Sequence, residues 1–124
     1  MPGFVTRLLI VTFMLLLPLT SALAETASAP SEGLVIDVRS EAEWRQGHLD
    51  NAILIPHDRI GTDIARLTGD KNARLYLYCR SGRRTAIAAT ALTRAGYRNL
   101  VNLGTMENAA RTLKRRIISE TAAP

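Results

Sequence analysis

From Gly33 onward, short apolar runs alternate with amphipathic stretches. Leu34-Val35-Ile36-Asp37-Val38 is apolar and β-branched, the pattern of a buried strand. Ser40 and Glu43 have the spacing of a capping box, which predicts a short helix running through Gln46 and stopped by Gly47. Ala52-Ile53-Leu54-Ile55, closed by Pro56, reads as a second strand. Ile60, Ile64 and Leu67 share one face of a helix over 59–67, and Gly69-Asp70-Lys71-Asn72 makes a turn. Leu75-Tyr76-Leu77-Tyr78 is a third buried strand with Cys79 at its carboxyl end. Residues 84–95 are rich in Ala and have helical periodicity, with Gly96 as the stop. Leu100-Val101-Asn102-Leu103 is a fourth short strand. Over 106–118 the pattern predicts a last amphipathic helix, with Leu113 and Ile117 inward and Arg111, Lys114 and Arg115 outward.

Strands that alternate with helices specify an α/β domain: a mostly parallel sheet of four to five short strands with helices on both faces. In open parallel sheets ligands sit at the carboxyl ends of the strands, and Cys79 occupies such a place.

The first residues follow a different pattern. Arg7 precedes an apolar run from Leu8 to Leu17, then Pro18, then Ser21-Ala22-Leu23-Ala24. That order is a secretory signal peptide over 1–24, with cleavage expected after Ala24. The competing reading is an uncleaved anchor, but the run is shorter than the ~20 residues that span a bilayer. No cysteine stands near the cleavage site to carry a lipoprotein anchor. Residues 25–32, rich in Ala, Ser, Thr and Pro, read as a flexible lead-in, and 33–124 as the domain. The expected location is the periplasm or the outside of the cell, with no stable membrane anchor after cleavage.

The chain has 124 residues, 47% of them hydrophobic and 22% charged, as suits one ordinary globular domain. The formal charge is +5, mostly from arginine. Export, and the lack of a basic stripe interleaved with aromatics, point away from nucleic acid and toward a small anion. The cysteine count changes the picture most. Exported proteins use cysteines in pairs, yet this chain has 1. A lone thiol is either an inert core residue or a reactive one. Here it opens the segment Cys79-Arg80-Ser81-Gly82-Arg83-Arg84-Thr85, where a strand meets the start of a helix. Cationic neighbours and a helix N-terminus both favour a thiolate, and Gly82 lets the backbone turn. An inert thiol needs neither, so the segment favours the reactive reading. Neither His48 nor His57 has metal-ligand spacing with it.

Taken in order, Val35-Ile36-Asp37-Val38-Arg39, Glu43-Trp44, Gly47-His48-Leu49, Ala52-Ile53-Leu54-Ile55-Pro56 and the Cys79 loop resemble a single-domain rhodanese, of the exported thiosulfate sulfurtransferase kind. The likeness runs from Gly33 to about Leu103. It implies a rhodanese-like three-layer fold. It makes Cys79 the sulfur-accepting nucleophile and gives Arg80, Ser81, Gly82, Arg83 and Arg84 the substrate-binding cradle. Asp37, Arg39 and His48 would be structural, and Trp44 a core residue. It implies thiosulfate as donor, cyanide or a thiol or protein as acceptor, and no cofactor. The spacing Cys-x4-Arg is one residue shorter than the Cys-x5-Arg of related phosphatases and arsenate reductases, and so suits one sulfur better than a phosphate. The loop lacks the Gly-Ser-Gly-Val of 3-mercaptopyruvate sulfurtransferases. A persulfide carrier without turnover is the other alternative. The chain departs from the family after its last strand: Gly104-Thr105 stands where many rhodaneses have Gly-Gly and an aromatic, which alters one pocket wall.

Overall fold

The computed structural model of the chain describes residues 33–119; the expected signal peptide over 1–24 and lead-in over 25–32 lie outside the described residues. The apolar runs form a four-stranded sheet from β1 (Leu34–Asp37), β3 (Ile53–Leu54), β4 (Leu75–Cys79) and β5 (Leu100–Thr105). Their spatial order is β3-β1-β4-β5, and every pairing is parallel. Parallel neighbours need crossovers, and helices lie in them: α1 (Glu41–Gln46), α2 (Ile60–Leu67) and α3 (Arg83–Arg94); α4 (Met106–Leu113) follows the last strand of the sheet.

The sheet is buried on both faces, so its central strand is apolar throughout. Alternation along β4 divides the core in two. Leu75, Leu77 and Cys79 point into a cluster with Ile36, Ile64 and Leu92, under α2 and α3. Tyr76 and Tyr78 point the other way, into a cluster with Val35, Leu49 and Ala109 under α4. This alternation decides the site, because it sends the Cys79 side chain to the α3 side.

The short helix α1 starts as expected. Ser40 accepts from the Glu43 N–H while the Glu43 carboxylate accepts from the Ser40 N–H, and Gly47 closes the helix onto the Trp44 carbonyl.

The C-terminal helix is shorter than its periodicity predicts. It ends at Leu113, because Lys114 takes a left-handed conformation with φ 53°. Ile117–Ile118 then forms β6, antiparallel to β2 (His48–Leu49). Ile117 is therefore 45% exposed rather than turned inward. The free edge of β2 offered backbone partners that a further helical turn would have left unused, and Arg115 secures the return by donating to the carbonyls of Asp50 and Asn51. Arg115 is thus half-buried, while Arg111 and Lys114 face solvent. No helix among the described residues is long and apolar enough to cross a membrane.

Candidate active site

The site forms where β4 stops and α3 begins. Cys79 is the last residue of β4 and is 0% exposed. The chain then turns through 80–82, and Gly82 stands at the N-cap of α3 with φ 90°. That conformation is the reason for glycine here. A Cβ would meet only the Gly104 Cα, at an ordinary 3.6 Å, so backbone strain rather than crowding excludes other residues.

The turn aims backbone donors at the sulfur. The Gly82 N–H donates to Cys79 Sγ at 2.8 Å. The Thr85 hydroxyl lies 3.8 Å from Sγ and donates to the Gly82 carbonyl at 2.6 Å. Burial pushes the Cys79 thiol up, but the N–H groups of Thr85, Gly82 and Ser81 and the Thr85 hydroxyl outweigh it, leaving the thiol below its ordinary value.

The arginines expected to lower the thiol pKa are not equivalent, and it is Arg84 that couples to the Cys79 charge. Arg80 and Arg83 are exposed, and neither makes a hydrogen bond or ion pair with its side chain among the described residues. Arg84 is engaged elsewhere. Its two terminal nitrogens donate to the Glu43 carboxylate at 2.6 and 2.7 Å. That pair holds the Glu43 carboxyl at about 2 and pushes the Arg84 guanidinium up, with a smaller contribution to Arg84 from the Cys79 charge. Arg84 is thus a first-turn helix residue turned toward α1, not part of a free loop.

The remaining expected residues frame the site. Arg39 donates to both carboxylate oxygens of buried Asp37 and to the Gly47 carbonyl at 2.6 Å, and lies 5.7 Å over the Tyr78 ring. His48 is buried and stacks on Trp44 with ring centroids 3.5 Å apart. Its Nδ1 is 2.8 Å from the Trp44 carbonyl, which can only accept, so Nδ1 carries a proton. The ring of His48 engages Trp44 of α1 and makes no hydrogen bond to the thiol among the described residues.

Two clefts flank the loop. One, of about 330 Å³, is bounded by Arg39, Glu43, Gln46, Arg80, Met106 and Glu107. Met106 stands in its wall just after Gly104-Thr105, where the sequence departs from the rhodanese pattern. The other, of about 300 Å³, is bounded by Arg39, Ser40, His57, Asp58, Arg59 and Arg84.

The family model for the rhodanese-like domain matches residues 20–107. The chain belongs to that family. The thiosulfate sulfurtransferase PspE of Escherichia coli is 35% identical over 75 residues, 60% of this chain and 72% of that protein. A probable adenylyltransferase/sulfurtransferase, MoeZ of Mycobacterium tuberculosis, is 42% identical over 71 residues, 56% of this chain. The chain spans only 18% of MoeZ. Among solved structures, a rhodanese with anions from Escherichia coli has a TM-score of 0.64 and 30% identity, covering 70% of this chain and 98% of that one. The likeness to that rhodanese structure agrees with the α/β fold described above. Rhodanese resemblance did not bring out Glu43 as the partner of Arg84, or Thr85 as a neighbour of the sulfur. Glu43 is legible as a helix cap and hides its second role. A hydroxyl three residues beyond a turn glycine was the available signal for Thr85.

Proposed function

We propose that this rhodanese is a thiosulfate sulfurtransferase that carries sulfur on Cys79. The observation that supports this most is the sulfur's setting: a buried Sγ at a strand's carboxyl end, receiving the Gly82 N–H at 2.8 Å, in a family whose relatives include sulfurtransferases. The Cys79 thiolate attacks the outer sulfur of thiosulfate. The S–S bond of thiosulfate breaks, sulfite leaves with its electron pair, and Cys79 holds a persulfide anion. Cyanide or a thiol then takes the outer sulfur, and the pair of the Sγ–S bond returns to Cys79 as thiolate. Splitting the transfer in two replaces one hard displacement by two easier ones.

Each part of the loop has a place in this reading. The amides of Ser81 and Gly82, with that of Thr85, hold negative charge on sulfur without reorganising. Arg80 and Arg83, exposed and without a side-chain partner among the described residues, draw the dianion in. Arg84 fixes the loop through Glu43. Asp37, Arg39 and His48 support it from behind. Each nucleophile supplies its own electron pair, so the chemistry calls for no metal or organic cofactor. We also propose that residues 1–24 direct export, which places the domain in the periplasm or outside the cell.

The test is turnover. Purified protein given thiosulfate and cyanide should release thiocyanate, and Cys79→Ser should release none. A protein that takes up sulfur but never turns over would be a carrier instead. Hydrolysis of phosphate esters without sulfur uptake would overturn the reading.

A further inference from the structure

The cleft of about 300 Å³ on the His57 side has no part in the reaction described so far. It lies at the carboxyl ends of β1 and β3, reached by the segments that leave those strands. Arg84 lines this cleft and its partner Glu43 the one on the Arg80 side, while Arg39 lines both. Its volume is at the small end of the range of ligand sites, which begins at roughly 300 Å³.

The charges in its wall are unevenly engaged. Arg39, Glu41 and Arg84 are tied to Asp37, Arg45 and Glu43. Asp58 and Arg59 are not: neither side chain makes an ion pair or hydrogen bond among the described residues, even with the other. Arg59 is also the N-cap of α2, and no side chain caps that helix. The helix end adds partial positive charge to the Arg59 side of the wall. An exposed carboxylate and an exposed guanidinium on consecutive residues, neither paired among the described residues, line a cleft that Arg84 of the thiol loop also lines, and they match a small ligand carrying one ammonium and one carboxylate.

We propose that this cleft is a subsite for a zwitterionic α-amino-acid thiol, which accepts the Cys79 sulfur with its ammonium toward Asp58 and its carboxylate toward Arg59. The assignment of the ligand as sulfur acceptor rests on the sulfurtransferase reading. In the step, the acceptor's sulfur attacks the outer sulfur of the Cys79 persulfide anion. The Sγ–S bond breaks, its electron pair stays on Cys79 as thiolate, and the proton of the thiol ends on the terminal sulfur of the released persulfide.

The experiment has a binding arm and a turnover arm, both on the purified chain. S-methyl-L-cysteine has the zwitterion but no reactive thiol, so it binds without reacting. Titrated into isotope-labelled protein, it should give saturable amide shifts at 57–59 and 84. In turnover, persulfide-loaded protein is given L-cysteine, cysteamine or 3-mercaptopropionate. Asp58→Asn should raise KM roughly tenfold for cysteine and cysteamine and spare 3-mercaptopropionate, as loss of one charge contact of about 1.4 kcal/mol requires. Arg59→Gln should do so for cysteine and 3-mercaptopropionate and spare cysteamine. Absence of shifts at 57–59, or variants that treat all three thiols alike, would overturn the subsite. If wild type takes up no sulfur from thiosulfate while S-methyl-L-cysteine still binds at 57–59, the binding site stands and the sulfurtransferase reading falls. If sulfur loads and those shifts are absent, the subsite alone falls.

Discussion

Arg84 and Glu43 close a two-pronged ion pair, at 2.6 and 2.7 Å, that ties the first turn of α3 to the capping box of α1. The same carboxylate accepts from the Ser40 N–H and hydroxyl, so the helix cap and the thiol loop are one connected unit. Glu43→Gln should remove about 1.5–3 kcal/mol of stability near neutral pH, the usual size for hydrogen bonds to a charged group. The folded pKa of Glu43 is depressed, from 4.5 to about 2. Its contribution is therefore present above pH 4.5 and is lost as pH falls from there toward about 2. Urea unfolding followed across that window should show a steeper loss in wild type than in Glu43→Gln. Equal slopes would mean that the pair contributes nothing to the folded state.

The thiol should titrate below the ordinary cysteine value of about 8.5, because amide donors outweigh its burial. Alkylation rate against pH reports the midpoint. Arg80→Gln and Arg83→Gln should leave it in place, since both side chains face solvent and the lowering comes from Thr85, Gly82 and Ser81. Thr85→Val should raise it. A large rise in the arginine variants would return the activation to their charge.

Gly82→Ala tests the turn. At φ 90° an alanine costs about 1–2 kcal/mol of backbone strain, while its Cβ has room at 3.6 Å from Gly104. A thermal melt should show a modest drop. Alkylation should slow more than that drop implies, because the Gly82 N–H is displaced from Sγ. An unaltered rate would mean that this donor does not hold the thiolate.

The features written locally in the chain were legible in it. The alternation of β4, the Ser40–Glu43 box and the helix stop at Gly47 are contacts between near neighbours, so their spacing reveals them. The position of Cys79 at a strand end followed from the same patterns. What escaped depends on distant partners. Ile117 and Ile118 continue a helical period, and only the waiting edge of His48–Leu49 makes them a strand. Glu43 meets Arg84 across 41 residues, and nothing local separates that arginine from Arg83 beside it. The cluster of arginines suggested a shared charge effect on the thiol, whereas the fold couples Arg84 to both Glu43 and the thiol and leaves Arg80 and Arg83 in water.

The leader reading predicts a processed protein. The small residues Ala22 and Ala24 after the apolar run call for cleavage that leaves Glu25 first. Intact-mass analysis of exported material should find a chain of residues 25–124. Product still carrying 1–24 and partitioning with membranes would contradict it.

The central claim is that sulfur passes through Cys79, and intact mass after a single exposure to thiosulfate tests it most directly. The wild-type protein should gain one sulfur atom, confined to the peptide that contains Cys79, and cyanide should remove it as thiocyanate. Cys79→Ser should gain nothing, because the chain has no second thiol. A wild type that gains no sulfur, or a Cys79→Ser variant that still turns thiosulfate and cyanide into thiocyanate, would contradict the account.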